Sequence, residues 1–179
     1  METNKIQNNK QSVVSFKLVF IYLSFIALLF GIQSIYGQKA IKFDDYLEGL
    51  KNQKSMNGKS KAESMKSLAF DHQPTFYVRD NQIITIDSKA PICGDIELSD
   101  IHLLNSRNSN FENVEFLTIR LRSEISRAKK LNLNQLSHFK NLKFIHVICE
   151  YSCVPSSIEQ MFEGENANLQ IFYSINIPN

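Results

Sequence analysis

Hydrophobic positions along this chain fall into successive patterns. From Leu18 to Tyr36 they run almost unbroken, LVFIYLSFIALLFGIQSIY, without a charge. From Phe43 they recur at helical spacing: Phe43, Tyr46, Leu47 and Leu50 follow i, i+3, i+4, i+7, with Asp44 and Asp45 in the first turn. Asn52 to Ser60 is polar and reads as a loop with Gly58 as its breaker, and Ala62, Met65, Leu68 and Ala69 suggest a second short helix. From Thr75 the period becomes two. TFYVRDNQIITID (75–87) reads as a β-hairpin, because Asp80-Asn81 tolerates the positive φ of a tight turn between two β-branched and aromatic runs. SKAPICG (88–94) breaks the pattern, and IELSDIHLL (96–104) alternates again as a loose strand.

Toward the C-terminus the pattern repeats. NVEFLTIRL (113–121), NLKFIHVIC (141–149) and NLQIFYSIN (168–176) open on asparagines 28 and 27 residues apart. Leu131, Leu133, Leu136 and Phe139 form a helix-like stripe between the first two, and Ile158, Met161 and Phe162 one between the second and third. Strand, helical return, strand is the unit from which parallel sheets are built. The spacing Leu133-x2-Leu136-x2-Phe139-x2-Leu142-x2-Ile145-x-Val147 resembles the leucine-rich repeat family over about residues 111–177. Val114, Leu117 and Ile119 share the phase, and Leu169 and Phe172 share it in part. Two departures stand out. The Asn or Cys of the family pattern falls on Arg122 and on Glu150, one residue past Cys149, and Ser174 takes an apolar slot of the third copy. The resemblance implies a repeat fold that binds protein. The expected fold class is α/β: N-terminal helices, a β-hairpin, then degenerate strand–helix repeats, leucine-rich-repeat-like or a small mixed sheet.

The uncharged run changes how the rest is read. Lys5, Lys10 and Lys17 precede it and Ser34 and Gly37 lie near its end, the layout of a secretory signal. Its length is also near the ~20 residues of a membrane-spanning helix, so a retained signal-anchor is the alternative. The expected organisation is a signal peptide or signal-anchor at 1–37, a basic helical segment at 38–74 and an α/β domain at 75–179. The leader takes three of the 20 Lys+Arg and one of the 18 Asp+Glu, leaving 17 of each. A neutral body argues against nucleic-acid binding, which draws on a basic excess. The lysines at 39, 42, 51, 54, 59, 61 and 66 are interleaved with Asp44, Asp45, Glu48 and Glu63, as on a solvated helix face. Outside the cytoplasm a disulfide is permitted. Of the three pairings open to Cys93, Cys149 and Cys153, Cys149–Cys153 closes the shortest loop, and three buried thiols are the alternative.

Chemistry is sparse. G-x-S-x-G, H-E-x-x-H, C-x-x-C, the P-loop and G-x-G-x-x-G are all missing; no catalytic residue, cofactor or metal site is assigned, though catalytic groups can be assembled from distant positions. His102 lies two residues from Asp100 and five from Glu97, a pattern read as a surface ion pair if strand geometry puts them on one face. The acids Asp44, Asp45 and Glu48 favour the positive end of a helix dipole without needing a ligand. In the repeat alignment Thr118, His146 and Tyr173 take equivalent positions. If the repeat reading holds, with Arg120 they are expected to line an exposed sheet face, the binding-surface candidate of this chain; if the strand is covered on both sides, His146 is instead expected to be buried and hydrogen-bonded. The sequence reads as a non-catalytic interaction or structural module, periplasmic or secreted, with a protein partner in the envelope. Contact with the membrane would come only through an uncleaved N-terminal segment. A small extracytoplasmic hydrolase or metal-dependent enzyme built around His102 and His146 is the alternative.

Overall fold

The computed structural model describes residues 39–53, 55–87, 89–105, 108, 111–124, 129–164 and 166–177. The leader lies outside them, as does the lysine at 54. Strand β1 (Ala40–Lys42) leads into helices α1 (Phe43–Asn52) and α2 (Met56–Phe70). The hairpin β2 (Thr75–Arg79) and β3 (Gln82–Thr85) turns through Asp80 and Asn81, whose φ values are 52° and 59°. Strand β4 (Cys93–Glu97) runs into a 3-10 helix over Leu98–Asn105, and β5 (Phe116–Leu121) follows. Then come β6 (Leu131–Asn132), a 3-10 turn over Leu133–Leu136, β7 (Phe144–Cys149), helix α3 (Pro155–Glu159), β8 (Phe162–Glu163) and β9 (Gln170–Ile175).

The fold is α/β. The main sheet has the order β1-β9-β7-β5-β4-β2-β3, parallel throughout except for the β2–β3 hairpin. From β2 to β9 each parallel strand lies beside its predecessor, so the chain advances one strand per return segment. The returns between β5, β7 and β9 carry β6 and β8, which pair in a second, two-stranded parallel sheet.

Alternation of side chains along each strand separates two faces. One face presents Phe76, Val78, Ile96, Leu117, Ile119, Leu121, Ile145, Val147 and Ile171 to the main core. Leu131, Leu133, Leu136, Phe139, Ile158, Met161 and Phe162 of the returns close that core from the far side. Helix α1 lies on the opposite face, because its period brings Phe43, Leu47 and Leu50 together. These three, with Ala62 and Met65 of α2, pack against Cys93, Phe116 and Phe172. The segment drawn at 38–74 is therefore part of the same unit as the sheet: β1 pairs with β9, and both helices lie on the strands.

Two sequence expectations are corrected. Gly58 is not a breaker. It sits buried in the first turn of α2, where its N–H donates to the Ser55 Oγ cap at 3.2 Å and a β-carbon would meet the Leu50 carbonyl oxygen. The strand expected at 96–104 starts earlier, at Cys93, and ends at Glu97, where Leu98, Ile101 and Leu104 turn into the core at 3-10 spacing.

Gly94 allows a close approach between neighbouring strands. A β-carbon there would stand inside the van der Waals envelope of the Phe76 ring and 2.9 Å from Leu117 Cδ1. Gly94→Ala is expected to overpack this junction and cost about 1–3 kcal/mol. Urea unfolding checks it: the midpoint should fall while the m-value stays that of the wild type.

Candidate binding face

The helices cover only part of their sheet face. Phe43 places its ring over His146 with centroids 4.6 Å apart, and packs edge-on against Phe172 at 5.3 Å and Phe116 at 6.5 Å. Beyond that cover, toward the C-terminal ends of the strands, the same face becomes polar. It bears Asp95 and Glu97 on β4, Thr118 and Arg120 on β5, and Ser174 on β9. Arg79 ends β2, and Arg122 and Glu150 follow β5 and β7.

Six of these side chains form one continuous row of ion pairs. Arg79 Nη2 donates to Asp95 Oδ1 at 3.0 Å. Arg120 grips the same carboxylate through Nε, 3.0 Å from Oδ1, and Nη2, 2.9 Å from Oδ2. Its Nη1 lies 3.6 Å from Glu150 Oε1, Arg122 Nε lies 3.9 Å from Glu150 Oε2, and Arg122 Nη2 reaches Glu97 Oε1 at 2.9 Å. Asp95 is the best shielded of the six, with 14% of its side chain exposed, and it is held by two guanidinium groups. A planar guanidinium meeting a carboxylate in two parallel bonds is the strong form of this contact. The bond to Asp95 holds the Arg120 pKa above its ordinary value, against the opposing effect of burial. Signs alternate along the row, three arginines against three acids.

The four sequence candidates separate. Thr118 and His146 are in register on β5 and β7, as expected; Arg120 is a half-buried member of the ion row, and Thr118 lies half-buried beside it. The residue opposite His146 on β9 is Phe172, and Tyr173 pairs with Val147 on the core side. The cause is register: the asparagines are 27 residues apart, but Phe144 faces Gln170, an offset of 26. A one-residue slip moves a strand's side chains to the other face. The true register also turns Ser174 outward, opposite Ile148.

His146 is not on an exposed face either. It is buried under Phe43, at 2% exposure, and its Nε2 shares a 2.9 Å hydrogen bond with Ser174 Oγ. Burial, with a smaller contribution from the positive charge of Arg120, lowers its pKa to about 4, so the ring is neutral at pH 7. The expected His102–Asp100 pair does not form on one strand face. Both lie in the 3-10 segment, Asp100 buried and His102 exposed. Cys149 and Cys153 form a disulfide, leaving Cys93 as a buried free thiol. Burial first, and the Glu115 charge second, push that thiol up to about 11, and its Sγ lies 3.5 Å from the Leu68 carbonyl oxygen. Among the described residues no group of three His, Cys, Asp or Glu is placed to hold a metal ion, and no helix is long and apolar enough to cross a membrane.

Arg79, Asp95, Glu97, Arg122 and Glu150 were not singled out from the sequence as site residues. A signal for them exists in the polar i, i+2 positions of Asp95/Glu97 and Thr118/Arg120/Arg122, but their cross-strand order is set by pairing alone. No protein-family model, curated protein or solved structure matches the chain.

The buried neutral histidine makes stability pH-dependent. In the unfolded chain it binds a proton near its ordinary value of 6.5, while in the folded chain it does so only near 4. Protons therefore favour the unfolded state as pH falls from 6.5 to 4, and the loss levels off below. The expected loss from this group is of the order of 3 kcal/mol. Urea titrations across that window should show the slope in the wild type and a smaller one in His146→Phe; equal slopes would contradict it.

Proposed function

We propose that this protein is an exported, non-catalytic interaction or structural module of the cell envelope, built on leucine-rich-repeat-like units. The observation that carries this reading is the row Arg79–Asp95–Arg120–Glu150–Arg122–Glu97. It spreads fixed, alternating charges over strands β2, β4, β5 and the end of β7. Such a row reads charge pattern over an extended surface. Rigid strands hold the groups in place, so little side-chain entropy remains to be lost on binding. The strand-by-strand advance of the sheet from β2 to β9 supports the repeat resemblance. The leader pattern and the Cys149–Cys153 bridge support a periplasmic or secreted location, where disulfides persist.

A second reading, a small extracytoplasmic hydrolase, is favoured by one observation, the 2.9 Å contact of His146 Nε2 with Ser174 Oγ. A general base works best with a pKa near the operating pH. A histidine held at about 4 beneath an aromatic ring suits a structural role better. The partner of the leading reading is a protein surface with charges complementary to the row; nucleic acid is disfavoured by the neutral body.

Site-specific photo-crosslinking tests the leading reading. A crosslinking residue at position 118, beside the row, should capture a discrete envelope protein that the same residue at position 61, on the outer side of α2, does not. Arg120→Glu should abolish the capture. Equal capture from both positions, or capture that survives Arg120→Glu, would remove the row from the interaction.

A further inference from the structure

Strand β3 ends the sheet order, and among the described residues no strand covers its outer side. The two-residue turn decides which of its backbone groups are free. Arg79 and Gln82 flank the turn and exchange both hydrogen bonds, and ladder bonding alternates from there. Gln82 and Ile84 therefore spend their N–H and C=O groups on β2, while Ile83 and Thr85 point theirs outward. Natural edges are usually blunted by charge, proline or a bulge. The run Gln82-Ile83-Ile84-Thr85-Ile86 has no charge, no proline and no glycine. Ile84 and Ile86 are 44% and 72% exposed. Alternation puts both on the face that carries the helices, where Ile84 pairs with Tyr77.

We propose that β3 is a homotypic interface, on which a second copy of this chain lays its own β3 antiparallel, centred on Ile84. In that register Ile83 faces Thr85 of the second copy in both directions, so the outward donors and acceptors of both strands satisfy one another. Ile84 meets its own equivalent at the non-hydrogen-bonded position, where side chains come closest. Ile86 lies opposite Gln82 and diagonal to Ile84, so the four exposed isoleucines gather in one patch. Asn81 stands opposite Asp87, an amide donor facing a carboxylate at both ends of the interface. Sliding the centre by one residue either way sets Asp80 opposite Ile86 or Asp87 opposite Ile83. Charge and hydrogen-bond complementarity thus select one register, and the partner that supplies it is the same sequence. The two sheets become one, continuous across a two-fold axis.

Sedimentation equilibrium of the purified exported protein tests this against two variants. Thr85→Pro deletes an outward N–H that the β2–β3 ladder does not use. Ile84→Lys places a charge at the proposed axis from an exposed position, so its fold does not depend on the contact. The wild type should show a concentration-dependent dimer at a doubled mass. Both variants should lose that species while keeping the far-UV circular dichroism of the wild type. A wild type that stays monomeric at every concentration overturns the proposal. So does association unchanged in both variants, which would locate it elsewhere on the chain.

Discussion

The ring of Phe43 lying on the sheet is the contact around which the rest is arranged. A parallel sheet must cover both faces or leave one to water. Here residues of the returns close the core over one face, whereas α1 and α2 cover the other only in part. Phe43 is fully buried beneath that partial cover, among Phe116, His146 and Phe172. Where helix α1 sits, Cys93, Phe116 and Phe172 are core. Past its edge, the same alternating positions become Asp95, Glu97, Arg120 and Ser174. A polar row placed under the helix would lose its water without gaining partners. Aromatic rings placed beyond the helix would leave a large apolar patch in solvent.

That division also accounts for the chemistry. His146 sits at the boundary, its ring under Phe43 and its Nε2 turned to the Ser174 hydroxyl, and burial, helped by the positive charge of Arg120, keeps it neutral. The row itself is balanced within itself. Exposed ion pairs contribute little to stability one at a time, and the exposed Arg122 end is of that kind. The Asp95 end differs, because one half-buried carboxylate ties β2, β4 and β5 together across their ladder. Its value lies in holding a charge pattern fixed, which suits recognition of a surface.

Much of the fold was legible in the sequence because local physics set it. The Asp80-Asn81 turn follows from the conformational tolerance of those residues, and α1 from the spacing of Phe43, Leu47 and Leu50. The strands at 116–121 and 144–149 follow from their repeated form. What was not legible depended on pairing. Sequence alignment by asparagine placed Tyr173 beside His146, and an offset shorter by one residue put Phe172 there. Gly58 looked like a breaker because its role, letting the start of α2 approach the Leu50 carbonyl, belongs to tertiary packing. The mid-strand place of His146 allowed both a surface and a buried, hydrogen-bonded reading, and nothing within its own strand announces that Phe43, about a hundred residues earlier, covers it. The ion row escaped for the same reason: its six members come from four segments and meet only across strands.

Helix α1, through Phe43, divides this sheet face into a dry half and a charged half. NMR titration of His146 in Phe43→Ala tests it most directly. Removing the ring should open the imidazole to water and move its pKa from about 4 back toward 6.5. A value still near 4 in the folded variant would contradict the account, since burial under Phe43 would then not be what keeps the ring neutral.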